Sequence, residues 1–120
     1  MFVKIYRYRI RPNKAKEFLD IQKRAGEIYR KHVSYRVAYL KSQRDPGVWL
    51  EIQWCADEDT YRQAMDLINA EPGIEKLWQE FQAVLDPKDS EIQEDYYEQI
   101  RAEGSNRAGW ERTSTTDEEK

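Results

Sequence analysis

The sequence predicts a small α+β domain of strand–helix–strand–strand–helix–strand order, with its helices on one face of a four-stranded antiparallel sheet. Three observations carry that prediction. Segments 2–11, 33–41 and 48–55 are rich in aromatic and β-branched residues, the composition that suits a pleated, half-buried strand. Stretches 13–32 and 57–85 instead repeat apolar residues at three- and four-residue spacing, the period of an amphipathic helix. The whole chain has 120 residues, 39% of them hydrophobic, enough for one modest core and no second one.

The first strand, Phe2 to Arg11, alternates between a mostly aromatic set (Phe2, Lys4, Tyr6, Tyr8, Ile10) and a set turning basic towards its end (Val3, Ile5, Arg7, Arg9, Arg11), because successive side chains point to opposite faces. Pro12 ends it, and Asn13 is the expected cap of a helix reaching His32, since a short polar side chain can accept a hydrogen bond from the first free N–H groups. Val33 to Lys41 and Val48 to Cys55 are joined by Arg44-Asp45-Pro46-Gly47, where proline presets φ and glycine tolerates the turn, so a hairpin is expected. Asp57 should cap the next helical region, with Glu58 and Asp59 at its positive end. Pro72-Gly73 should break that region in two, with Pro72 in the first turn of the second piece. Asp86 to Asp89 closes it, and Ser90 to Ile100 is a last strand of looser alternation. Residues 1–102 are thus expected to form the domain and 103–120 a polar, mobile tail, in which Trp110 is the one large apolar side chain.

Right-handed crossovers place the first and third strands in the centre of the sheet, a ferredoxin-like arrangement whose other face is bare. Val3, Ile5, Trp49 and one side of Tyr35, Val37 and Tyr39 are expected there, and a second copy of the chain should cover so apolar a surface.

Charge narrows the function classes. The net charge is −3, but residues 1–44 hold thirteen Lys/Arg against three Asp/Glu and residues 45–120 hold seven against twenty. A fold that interleaves early and late strands brings these halves together, so mutual neutralisation is preferred to a basic face for nucleic acid. An RNA-recognition domain shares this element order, yet the third strand lacks its basic, glycine and paired-aromatic pattern. An acylphosphatase would need a glycine-bearing phosphate loop after the first strand, and Arg11-Pro12-Asn13-Lys14 has none. No stretch of eighteen apolar residues and no signal-peptide pattern occurs, so a soluble, cytoplasmic protein with no membrane partner is expected. One cysteine, Cys55, and one histidine, His32, are too few for a structural zinc site, and no metal is implied.

The β1 segment Phe2–Pro12 followed at once by Asn13-Lys14-Ala15-Lys16-Glu17-Phe18, Glu51-Ile52-Gln53-Trp54 running into Asp57 to Tyr61, and the helix from Pro72 to Leu85 resemble the antibiotic biosynthesis monooxygenase superfamily of dimeric α+β barrels over residues 2–100. The resemblance implies a homodimer whose sheets face each other and a ligand cavity between each sheet and its own helices. Members that this chain resembles include cofactor-free oxygenases of aromatic polyketides, haem-degrading oxygenases, isomerases and proteins of no known activity. The haem-degrading branch is recognised by a first-strand asparagine, a tryptophan in the second helical region and a histidine ligand beyond it. Here Tyr6, then Ala64 or Met65, then Leu77 or Trp78 stand at those places, so no haem or other cofactor is expected.

A cofactor-free oxygenase needs an apolar pocket for an electron-rich aromatic, a base, and donors that stabilise charge. If the even face of the first strand meets the helices, Tyr6 and Tyr8 converge with Trp54, Tyr61, Trp78 and Phe81 as pocket walls, or as plain core. Histidine is the side-chain type whose unperturbed pKa suits proton transfer near neutrality, and His32 with Tyr6 is the expected catalytic pair; the structural alternative is a histidine favouring the negative end of its helix. Arg7 and Arg9 could bind an anionic group, but cross-strand pairing with Glu51 is the preferred reading, and Cys55 has no activating partner in sequence. The reading is a monooxygenase acting on an aromatic or quinol-type molecule; the alternative is a non-catalytic homodimeric ligand-binding or stress-related protein whose aromatics fill the cavity.

Overall fold

A computed structural model describes residues 1–105; the expectations for Trp110 and for the tail from 106 onward lie outside the described residues. The elements run β1 (Phe2–Arg9), α1 (Ala15–Tyr29), β2 (Tyr35–Lys41), β3 (Val48–Cys55), α2 (Glu58–Asn69), α3 (Ile74–Val84) and β4 (Gln93–Glu98). The sheet is antiparallel with strand order β2-β3-β1-β4, the ferredoxin-like arrangement the element order demanded, with the helices packed on one face.

Local chemistry explains most boundaries. Asp57 caps α2, its side chain accepting from the Thr60 N–H at 2.7 Å. The expected Asn13 cap is not used: Lys14 occupies that position without a side-chain cap, its carbonyl accepting from the Phe18 N–H at 2.9 Å and its Nζ reaching Glu17. Helices α2 and α3 are separate, as Pro72-Gly73 required, but Pro72 stands before α3 rather than in its first turn. Gly73 is the capping residue, at φ 91, a left-handed value that glycine adopts without a steric penalty.

The core splits in two. Phe18, fully buried, lies edge-on to Trp49, Tyr39 and Tyr8 and tilted against Phe81, joining β1, β2 and β3 to α1 and α3. A second cluster of Val33, Cys55, Tyr61, Ala64 and Ile68 fixes α2 against the other end of the sheet.

Register decides which face is which. Tyr8 lies opposite Trp49, Tyr6 opposite Glu51 and Lys4 opposite Gln53, and residues directly opposite share a face. The even positions of β1 and the odd positions of β3 therefore meet the helices, together with Tyr35, Val37 and Tyr39 of β2. This corrects the expectation for the bare face. Trp49, Tyr35 and Tyr39 are covered by their own helices, and the bare face carries Val3, Ile5, Ile52 and Trp54 with Ala38 and Leu40. The early, basic half of the chain is neutralised by the late, acidic half through Arg9–Asp45, Arg24–Glu80, Lys31–Glu71 and Lys4–Glu94.

Candidate functional site

Between the sheet and the helices lies a cavity of about 460 Å³, within the size range of small-molecule sites. Its floor is the helix-facing side of the sheet: Tyr6 and Tyr8 from β1, Tyr35 and Tyr39 from β2, Glu51 and Gln53 from β3. Tyr29 of α1 and Met65 and Asn69 of α2 form its walls, and Trp78 and Phe81 of α3, stacked at 5.8 Å between ring centroids, complete it. Trp78 is half exposed, a flat apolar lip for the opening.

Glu51 is the group that gives this cavity chemistry. Its carboxyl is buried, and each oxygen accepts one hydrogen bond: Oε1 from the Tyr8 hydroxyl at 2.8 Å, Oε2 from Gln53 Nε2 at 2.7 Å. Burial pushes the Glu51 carboxyl above its ordinary value, because the charged form loses water; the Tyr8 and Gln53 bonds and the charge of Lys4 pull the other way without cancelling it. Tyr8 is itself held far above the usual phenol range, first by burial and then by the Glu51 charge, so the shared proton stays on the phenol. The result is a buried carboxyl group held by two donors inside an aromatic chamber, which in its ionised form can take a proton from a bound molecule.

The other hydroxyls are held neutral as well. Burial raises Tyr6, Tyr29 and Tyr39 strongly and pushes Tyr35 up to about 12. They are donors at neutral pH, placed to stabilise negative charge that develops on a substrate.

Four of the expected pocket residues, Tyr6, Tyr8, Trp78 and Phe81, are in the cavity wall. Tyr61 stands behind it, its hydroxyl 3.4 Å from that of Tyr6. Trp54 is on the opposite face of the sheet, corrected by register: it lies opposite Val3, its ring under the Arg36 guanidinium at 4.9 Å and its Nε1–H donated to Gln99. His32 is not at the cavity. It follows the end of α1, and its Nε2 meets Glu71 Oε2 at 2.5 Å, tying the α1–β2 turn to the end of α2. The expected pairing of Arg7 and Arg9 with Glu51 is also overturned, since these side chains point to opposite faces; Arg9 makes a two-pronged bond to Asp45 of the hairpin turn at 3.0 and 2.6 Å. Glu51, expected only as an ion-pair partner of those arginines, is instead the buried acid that the fold brings into the cavity.

No family model and no curated protein matches the sequence. Solved structures do match its fold. A NIPSNAP domain protein from Burkholderia xenovorans superposes with a TM-score of 0.69 at 16% identity, covering 88% of this chain and 100% of that one. SnoaB, a cofactor-independent oxygenase from Streptomyces nogalater, gives 0.64 at 17% identity, over 84% and 94% of the two chains. An antibiotic biosynthesis monooxygenase gives 0.62 at 19% identity, over 84% and 100%. The chain has the antibiotic biosynthesis monooxygenase fold. Within that fold the cavity of this protein lies on the helix-covered side of its sheet, where Glu51, Gln53 and the tyrosines converge. Among the described residues no helix is long and apolar enough to cross a membrane.

Proposed function

We propose that this protein is a cytoplasmic, cofactor-independent monooxygenase that binds a flat aromatic or quinol-type molecule in the sheet–helix cavity, with Glu51 as its base. The observation that carries the proposal is the buried Glu51 carboxylate, held by Tyr8 and Gln53 and facing a chamber walled by aromatic rings. Support also comes from the fold shared with a cofactor-independent oxygenase. Glu51 would take a proton from an acidic C–H or O–H of the substrate, leaving an electron-rich anion. That anion supplies the electrons that reduce O2: one oxygen atom enters the substrate as a carbonyl, and the other leaves as water with the two hydrogens the substrate gives up, the first of them by way of Glu51. The neutral tyrosine hydroxyls stabilise the anion by hydrogen bonding, and apolar walls exclude water that would quench it.

The working form in this proposal is a homodimer, with the bare face covered by a second copy. Ile5, Ile52 and Trp54 leave an apolar surface there, beside the half-exposed Leu40 and Tyr97, and closed two-fold pairing is the commonest way to cover such a face. Sedimentation at micromolar concentration should give twice the mass of the chain, and Ile52→Asp should give single protomers; a wild-type monomer removes the dimer.

Oxygen consumption with anthrone and quinol substrates tests the chemistry. The expected result is uptake without added metal or flavin and a product that has gained one oxygen atom and lost two hydrogens, with Glu51→Gln slower by about 10²–10⁴-fold, the usual worth of a positioned proton-transfer group. Absence of uptake across the panel, or full activity of Glu51→Gln, defeats the proposal.

A further inference from the structure

We propose that the molecule this cavity accepts is an organic cation, an arylalkylamine in its protonated form, whose ammonium group sits between Glu51 and Gln53. The inference rests on the reading of this cavity as the substrate site and adds the charge of what enters it.

Three carboxylates, Glu51, Glu75 and Glu94, line the cavity, and among the described residues no Lys, Arg or His does. Two cations stand just outside that lining. Lys4 is already engaged: its Nζ lies 3.2 Å from Glu94 and within 4.6 to 5.2 Å of the ring centres of Tyr6, Tyr61 and Tyr96. Arg30 lies against Gly26, beside Tyr35 and Tyr39 rather than Glu51. The lining itself thus carries carboxyl groups and no cation, and within it no positive side chain stands beside Glu51.

The hydrogen-bond inventory points the same way. Gln53 is buried, 4% exposed, and its amide is oriented by the bond from Nε2 to Glu51. Its Oε1 consequently has no donor at all, a condition native interiors avoid because an unmet acceptor still loses its water. Each Glu51 oxygen accepts one bond and has capacity for another. The unmet demand is therefore for donors, several of them, close to a negative charge. An ammonium brings three N–H donors and one positive charge on a compact centre, and the cavity is lined by aromatic rings, a side-chain type that attracts such a centre. A carboxylate or phosphate ligand would meet Glu51 and Glu75 as groups of like charge, Glu94 being paired with Lys4. A neutral hydroxyl would satisfy Gln53 and bring no charge to Glu51. An ammonium beside Glu51 is also compatible with proton abstraction, since it offsets the negative charge that the substrate acquires.

Three phenols of matched ring and similar chain length make the test: tyramine (cation), 4-ethylphenol (neutral) and 4-hydroxyphenylacetate (anion), titrated calorimetrically into the folded protein at pH 7 in low and high salt. Tyramine should bind tighter than 4-ethylphenol by about tenfold or more, the scale of one desolvated charge contact, and 4-hydroxyphenylacetate should bind weakest. Salt should narrow the gap. Glu51→Gln should bring tyramine and 4-ethylphenol to within about threefold, and Glu75→Gln, at the cavity wall, should reduce the preference by a smaller factor. Equal or tighter binding of 4-ethylphenol overturns the cationic assignment, as does binding of none of the three, and in either case oxygen uptake with neutral quinols still decides the oxygenase reading separately. Amine selectivity without oxygen uptake on any substrate upholds this inference and defeats that reading.

Discussion

The two faces of strand β3 differ in a way their residues conceal. Leu50, Ile52 and Trp54 form the more apolar row, yet they lie on the bare side of the sheet and are only partly covered. Trp49, Glu51, Gln53 and Cys55 form the mixed row, and all four are buried beneath the helices. A protomer that placed its oiliest row outward and a carboxylate inward has given up stability on both sides. The inward Glu51 is desolvated, and the outward row is unshielded within one copy of the chain. Such departures from the simplest burial rule are expected at functional surfaces, and they motivate the two proposals above, a substrate chamber on one side and a dimer face on the other.

The sharpest break in this symmetry would be Trp49→Ala against Trp54→Ala. Trp49 packs on Phe18 at 4.9 Å between ring centres, so its truncation should cost about 3–5 kcal/mol in denaturant unfolding. Trp54→Ala should cost under about 1 kcal/mol in the isolated protomer while weakening self-association. Equal losses would mean that the faces are assigned wrongly.

A smaller effect sharpens the inward row. Tyr8→Phe removes the donor to Glu51 Oε1 and should raise the Glu51 pKa further, moving the acidic limb of the activity profile to higher pH. The loss should be about 1–2 kcal/mol in apparent transition-state stabilisation, the worth of one charge-assisted bond. An unmoved limb would dissociate the Tyr8 bond from the catalytic base.

The smallest expected effect concerns stability against pH. Because the folded-state pKa of Glu51 lies above its ordinary 4.5, the folded protein binds a proton that the unfolded chain releases first. The contribution is fully present below about 4.5 and is lost as pH rises through the folded value. Glu51→Gln should therefore be more stable than the parent at neutral pH, the gap closing as pH falls towards 4.5; thermal melts of both proteins across that window check it. A variant that is less stable at neutral pH would show that the Tyr8 and Gln53 bonds outweigh desolvation.

Much of the fold was legible in the sequence because its determinants are local. The Asp45-Pro46-Gly47 turn, the Asp57 cap and the Pro72-Gly73 break each act over a few residues, and strand order followed from crossover handedness. The site was not, because register is a long-range property: a one-residue slip exchanges every side chain between faces. Alternation in β3 identified two rows without saying which one met Tyr6 and Tyr8. Apolarity was a poor guide where both faces expect cover, so Trp54 was placed inside and Glu51 was given to Arg7 and Arg9. A usable signal was present in Gln53, an amide two residues from the acid and therefore on the same side of the strand. His32, chosen for its ordinary pKa, illustrates the converse, since titration range says nothing about position.

Cys55 supplies the sole sulfhydryl of the sequence and is almost entirely enclosed, packed in the cluster around Tyr61 and Ile68. Thiol-labelling reagents can reach it when α2 lifts from the sheet, so the rate of alkylation is a clock for that opening. The clock ticks on its own, without an engineered probe, in every variant described above.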